Sequence, residues 1–178
     1  MLEVYHGTTK EIAQKILREN FKIIHKEVTN DLGNGVYTYC PDEENIWDPQ
    51  NNARRYAIQY KNGKTQVLEV TISVSSDVYY IDLDDEEFKQ KWNQIRASLE
   101  QRANEIWKKY RRGNAKKRHN IDGIILELAI KKGMFDETPD FMVKCTYTSF
   151  IPNTASNFPN GRELVIRNLD IIKKVAEV

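Results

Sequence analysis

Short strand patterns are scattered along the whole chain and do not alternate regularly with helices. Residues 66–73 alternate between apolar and polar side chains, which is typical of a half-buried strand. The other predicted strands cover residues 2–5, 21–24, 35–39, 78–83, 121–126, 141–145, 164–166 and 171–175. Because strand–helix–strand units do not recur, this pattern predicts an α+β fold with mostly antiparallel sheets.

One long amphipathic helix is predicted near residues 84–112. Its first turn is acidic, as the helix dipole favours, and its apolar side chains recur at spacings of three and four. They are Phe88, Trp92, Ile95, Leu99, Ala103, Ile106 and Tyr110. Arg112-Gly113-Asn114 is a predicted stop. Shorter helices are predicted over about residues 9–20 and 52–59.

Length and composition predict one domain over residues 1–178, in which 40% of the residues are hydrophobic and 30% are charged. A net charge of +1 gives no global field that would steer the chain to nucleic acid or membrane. No apolar run is long enough to span a bilayer, and the N-terminal residues do not resemble a secretion signal. We therefore expect a cytoplasmic protein. Cys40 and Cys145 are expected to be reduced thiols.

Three polar residues lie where predicted strands meet loops, namely His6, Tyr37 and Glu163. A strand end holds a side chain on a rigid base, which suits a binding site. Each residue taken alone is more typical of a structural or merely exposed position. Gly7, which follows His6, leaves the backbone open to direct contact with a ligand.

Four segments together resemble a known enzyme superfamily. They are Tyr5-His6-Gly7-Thr8, Gly33-Asn34-Gly35-Val36-Tyr37, Asn52-Ala53-Arg54-Arg55-Tyr56-Ala57 and Asn160-Gly161-Arg162-Glu163-Leu164-Val165-Ile166. Their order and separation resemble the ADP-ribosyltransferases of the His-Tyr-Glu type, shared by poly(ADP-ribose) polymerases and diphtheria-toxin-like enzymes. Thr38 stands where that family usually has an aromatic residue, and the Tyr56 segment is offset by one residue. Residues 84–117 have no counterpart that we can place in the family.

The resemblance implies an ADP-ribosyltransferase-like split β-sandwich, in which two mostly antiparallel sheets with flanking helices hold NAD in the cleft between them. It implies a mono-ADP-ribosyltransferase that cleaves the nicotinamide–ribose bond of NAD and passes ADP-ribose to a protein or nucleic acid. It requires no metal, and His6, His25 and His119 have no ligand spacing. In a toxin-like role, an antitoxin or immunity protein is an expected partner.

The resemblance also assigns roles to individual residues. Glu163 would stabilise the positive charge that develops on the ribose during bond cleavage. Tyr37 and Tyr56 would stack on the nicotinamide ring. The resemblance assigns His6 to a ribose hydroxyl and Thr8 to supporting polar contacts. Two further groups would bind the carboxamide: the backbone of Gly7 and, as a weaker candidate, the side chain of Asn52.

Other functions remain open at this stage. The same residues would serve an NAD glycohydrolase, in which water is the acceptor, or a binding module that holds NAD without turning it over. A nucleic-acid-binding protein is suggested by the basic run over residues 108–118, although a solvated helix end is the simpler interpretation. A tRNA 2′-phosphotransferase is disfavoured because Tyr37-Thr38-Tyr39 stands where paired histidines are expected. The Arg-Ser-Glu class is disfavoured because His6 replaces its arginine.

Overall fold

A seven-stranded sheet forms the centre of the protein, whose computed structural model describes residues 1–110, 119–152 and 154–178. The strands are β1 Leu2–Thr9, β2 Val36–Cys40, β3 Thr65–Ile72, β4 Tyr80–Asp82, β5 Phe141–Thr146, β6 Gly161–Ile166 and β7 Ile172–Glu177. The helices are α1 Lys10–Glu19, α2 Pro49–Tyr60, α3 Glu86–Lys109 and α4 Asp122–Lys131, with a 3₁₀ turn at Leu169–Ile171. These elements confirm the predicted α+β class.

The strand order across the sheet is β4-β5-β6-β2-β1-β3-β7. Each pair of neighbours is antiparallel except β4 and β5, which run parallel. The resemblance predicted two separate sheets, whereas the strands form one hydrogen-bonded sheet. That sheet is narrow at its middle, because β1 and β2 share only the pair Tyr5–Tyr39 while β1 and β3 pair along eight residues.

The long amphipathic helix is confirmed as α3. It begins at Glu86 because the carboxylate of Asp85 accepts hydrogen bonds from the first free N–H groups of the helix. Its apolar stripe buries Ile95, Leu99 and Ala103. The helix ends at Lys109, and the predicted stop at 112–114 lies outside the described residues, as does most of the basic run.

Residues 121–126 were predicted as a strand, and this was wrong. They form the first turns of α4, whose Ile124, Ile125, Leu126 and Ala129 are all buried. A short apolar run has no periodicity that separates a buried strand from a buried helix. Gly123 fits this helix because a Cβ there would lie 1.7 Å from the carbonyl oxygen of Asn30. The predicted strand over 21–24 is also absent, since these described residues have no regular structure.

Helices cover different parts of the sheet and create separate cores. Helix α1 packs with one apolar cluster that includes Val4, Leu68 and Leu164. Helices α3 and α4 pack with a second cluster that includes Met142 and Val165. Among the described helices, none is both long and apolar enough to cross a membrane.

Candidate functional site

The three motifs that were singled out in the sequence lie on three neighbouring strands. The His6 motif is on β1, the Tyr37 motif leads into β2, and the Glu163 motif opens β6. These strands occupy consecutive positions in the order β6-β2-β1. Segments more than 100 residues apart in the chain are therefore adjacent at the middle of the sheet, where it is narrowest.

His6 connects β1 to β2 through its side chain. Its ring Nδ1 lies 2.8 Å from the carbonyl oxygen of Tyr37. A carbonyl oxygen only accepts hydrogen bonds, so Nδ1 carries the proton and Nε2 is the acceptor in the neutral ring. Burial lowers the pKa of His6 and outweighs the opposing effect of the Tyr37 hydrogen bond, and the nearby Lys61 charge lowers it further. The imidazole is therefore held neutral in a defined tautomer.

Gly7 lets a helix pack closely on β1, and its backbone groups point toward β2. A Cβ at this position would lie 1.9 Å from the carbonyl oxygen of Ala53 in α2, so the missing side chain lets the helix approach the strand. The N–H of Lys10 donates to the carbonyl of Lys64, in the same register as the β1–β3 ladder, so the backbone groups of Lys10 point toward β3. Backbone groups of successive residues in a strand point to opposite neighbouring strands. Gly7 lies three residues before Lys10, so its N–H and C=O point the other way, toward β2.

No residue of β2 is a ladder partner of Gly7, and both strands lie wholly within the described residues. The next position in register would pair Gly7 with Tyr37, the residue whose carbonyl is bonded to the His6 ring. The ladder between the two strands therefore does not extend to this position. The N–H and C=O groups of Gly7 therefore point toward a part of β2 with which β1 forms no ladder pair.

The Tyr37 hydroxyl is used within the protein. It donates to the carbonyl of Gly33 at 2.9 Å and accepts from the N–H of Leu32 at 3.0 Å. These bonds close the turn that precedes β2. The ring packs beside the core under α3 and α4. Thr8 is buried and pairs with Gln66 of β3.

Glu163 belongs to a row of side chains that crosses four strands on one face of the sheet. It pairs with Tyr39 on one side and with Lys144 on the other, and Tyr39 also pairs with Tyr5. Directly paired residues project from the same face. His6 neighbours Tyr5 along β1 and therefore projects from the opposite face, where its ring meets Phe21 edge-on. His6 and Glu163 therefore lie on opposite faces of the sheet, on either side of the single ladder pair between β1 and β2.

The sequence did not single out Tyr39. Its hydroxyl is buried and lies 2.7 Å from the Thr148 hydroxyl, and its ring is packed edge-on against that of Tyr56. Burial raises the pKa of Tyr39, and the negative charge of Glu163 raises it further. Tyr39 lies two residues after Tyr37 on the same strand. Because alternate side chains of a strand share a face, the sequence could have placed Tyr39 on the same face as Tyr37.

Helix α2 contributes the two other predicted residues. Asn52 is buried and its amide donates to the carbonyl of Asn160 at 3.0 Å, which ties α2 to the start of the β6 motif. The ring of Tyr56 has Tyr39 and Tyr60 as ring neighbours, at centroid distances of 6.5 and 5.0 Å. The predicted partner of Tyr56 was Tyr37, which belongs to another core cluster.

A buried ion pair holds the Gly33–Tyr37 turn and was missed by the sequence reasoning. Glu127 of α4 accepts from the N–H of Asn34 at 2.7 Å, and Arg167 bonds both Glu127 and the Asn34 carbonyl. Burial opposes ionisation of Glu127, but Arg167 and the Asn34 amide together lower its pKa. Gly33 has a φ of 85° and no room for a Cβ beside this carboxylate.

A cavity of about 380 Å³ lies on the other side of Glu163 from β1. Its walls come from α3, the start of α4, the end of β5 and the loop before β6. They include Phe88, Trp92, Asn120, Lys144, Thr146 and Asn157. Lys144 links this cavity to the row that contains Glu163. His6, Tyr37 and Glu163 do not line it.

Within the described ranges, no group of three or more His, Cys, Asp or Glu side chains could hold a metal ion. Cys40 and Cys145 are both free thiols in this structure. Comparisons with protein-family models, with curated proteins and with solved structures found no match for this chain.

Proposed function

We propose that this protein is an NAD-dependent mono-ADP-ribosyltransferase. The observation that carries the proposal is the adjacency of the three motifs on β6, β2 and β1, where β1 and β2 share a single ladder pair. The narrow junction between β1 and β2 also supports the finer proposal that the fold is the split β-sandwich of the ADP-ribosyltransferase superfamily.

The nicotinamide would lie beside Gly7, whose N–H and C=O provide the donor and acceptor that a carboxamide needs. The aromatic cluster of Tyr5, Tyr39 and Tyr56 lies on the Glu163 face of the sheet beside it. The faces of such aromatic rings attract cations, so they would favour binding of the planar, positively charged nicotinamide ring. On the other face, the neutral His6 ring would accept from a ribose hydroxyl at Nε2, the nitrogen that the Tyr37 contact leaves unprotonated.

Glu163 would act on the ribose itself. As the bond between C1′ and the nicotinamide nitrogen lengthens, positive charge develops on the ribose ring and its electron pair leaves with nicotinamide. A carboxylate held beside the ribose stabilises this charge, as in glycoside cleavage. Nicotinamide leaves as a neutral molecule, so no acid is needed to protonate it.

The test is Glu163→Gln, assayed by nicotinamide release from NAD. We expect release to fall about 100-fold or more, since a preorganised charge is lost, while NAD binding measured by calorimetry persists. Glu177→Gln on the edge strand β7 is the matched control and should keep full activity. Near-normal release by the Glu163 variant would reject the assignment.

The same assay separates the alternatives that the sequence left open. With NAD labelled in its adenylate half, transfer leaves the label on a macromolecule, whereas a glycohydrolase leaves free ADP-ribose. A binding module would bind NAD and release no nicotinamide. We favour transfer because a cavity adjoins the row that contains Glu163 and offers a place for an acceptor.

A further inference from the structure

The cavity between α3, α4 and β5 has a wall chemistry that the proposed NAD contacts do not use. On one wall Phe88 and Trp92 are stacked, with centroids 5.9 Å apart and planes at 21°. The amide side chains of Asn120 and Asn157 lie elsewhere on the lining. An aromatic wall combined with amide groups suits a planar ring that carries hydrogen-bonding edges.

One polar group of the cavity has no partner inside the protein. The hydroxyl of Thr146 is buried and makes no hydrogen bond with any described residue. Buried hydroxyl groups are nearly always bonded, so an unpaired one in a cavity wall indicates a missing partner. A polar ligand atom would supply it.

The charged groups of the lining are Asp31, Lys89, Asp122 and Lys144. Lys144 lies 3.3 Å from a carboxylate oxygen of Asp84, Lys89 lies 3.6 Å from one of Glu86, and Asp122 forms an ion pair with Arg96. An anionic ligand group would therefore have to displace a carboxylate from one of the two lysines. A neutral ring with donors and acceptors fits without this cost.

We propose that this cavity binds an unpaired nucleobase of a single-stranded nucleic acid, which is the acceptor of ADP-ribose. This inference rests on the proposed function. A volume of about 380 Å³ is within the range of small-ligand pockets. A base within a duplex cannot enter such a cavity, so the base must be unstacked and unpaired.

The position of the cavity fits the geometry of transfer. Nicotinamide would leave on the β1 side of Glu163, and the cavity lies beyond Lys144 on the β5 side. A nucleophile that attacks opposite the leaving group would come from that side. A nitrogen or oxygen of the base forms the new bond to C1′ while the bond to nicotinamide breaks. The base gives up one proton, which passes to the Glu163 carboxylate and then to water.

The first experiment measures binding without catalysis. Short single-stranded oligonucleotides are titrated into the full chain while tryptophan fluorescence is recorded. We expect quenching with the native Trp92 and loss of most of that quenching in Trp92→Phe. A matching duplex should bind at least tenfold more weakly. Equal quenching in the Trp92 variant, or equal binding of the duplex, would overturn the proposal.

The second experiment measures transfer from labelled NAD to the same oligonucleotides. Asn157→Ala, in an exposed loop where folding is not at risk, and Trp92→Ala should each lower labelling about tenfold at subsaturating oligonucleotide. Asn93→Ala, on the exposed side of α3, is the control. If nicotinamide is released but only lysate proteins are labelled, the nucleobase assignment fails and the proposed function stands. If no nicotinamide is released, the proposed function fails. The binding experiment then decides whether the cavity binds an unpaired nucleobase.

Discussion

Replacing Arg167 by Met should strongly destabilise the fold, because it leaves a buried carboxylate without its cation. Arg167 and Glu127 are 9% and 11% exposed at their side chains. Their closest atoms are 2.5 Å apart, with a second contact at 3.3 Å. After the substitution, the contact that remains to Glu127 is the N–H of Asn34. Breaking a buried pair on one side costs about 3–5 kcal/mol.

That magnitude is a large part of the 5–15 kcal/mol that typically stabilises a domain. Urea unfolding followed by circular dichroism should show it as a lower midpoint with an unchanged slope. Glu127→Gln keeps an oxygen that accepts from the Asn34 N–H, but it leaves the buried Arg167 guanidinium without its counter-ion. This variant should therefore also have a lower free energy of unfolding. The double variant should cost about 1–3 kcal/mol less than the sum of the two single changes. Strict additivity, or a loss below about 1 kcal/mol for Arg167→Met, would refute the reasoning.

The same pair makes stability depend on pH. The pKa of Glu127 is lowered in the folded state, so the folded protein binds fewer protons than the unfolded chain, in which Glu titrates near about 4.3. This stabilisation is present above that pH and is lost as pH falls through the folded pKa. The free energy of unfolding should fall less steeply in Glu127→Gln than in the native protein over this acid range.

Three further outcomes test the centre of the sheet. Gly7→Ala should cost about 1–3 kcal/mol in urea unfolding, since its methyl would lie 1.9 Å from the Ala53 carbonyl oxygen; unchanged stability would contradict this packing. Tyr39→Phe removes the buried bond to Thr148 and should cost about 1–2 kcal/mol, which thermal unfolding can measure. Because burial lowers the pKa of His6, the native protein should lose stability as pH falls below about 6.5 toward the folded pKa, whereas His6→Gln should not.

Much of the fold could be predicted because it depends on local patterns. The apolar residues from Phe88 to Tyr110 recur with a helical period that no strand can satisfy, and the predicted helix is present as α3. The run from Ile121 to Leu126 has no such period, and its packing against the Asn30 turn is a long-range contact that the run itself does not encode. Periodicity therefore predicted elements with one polar face and failed for an element that is buried on most sides.

The site was predicted in part, for a related reason. Strand ends and glycines identified His6, Gly7 and Glu163, because these features are visible in a few consecutive residues. The contacts of Tyr39 and Glu127 come from partners 109 and 93 residues away, and no local pattern encodes the choice of partner. Tyr37 shows the same limit: a turn over residues 31–35 could be predicted from the sequence, but the hydrogen bonds of the Tyr37 hydroxyl to Gly33 and Leu32 could not.

The ladder between β1 and β2 ends beside the His6 side chain. The next pair in register after Tyr5–Tyr39 would join Gly7 and Tyr37, and it would use the Tyr37 carbonyl. The His6 ring bonds this carbonyl from the face opposite Glu163. The buried pair of Glu127 and Arg167 fixes the turn that precedes Tyr37. Polar groups on both sides therefore hold Tyr37 in place at the position where the ladder ends.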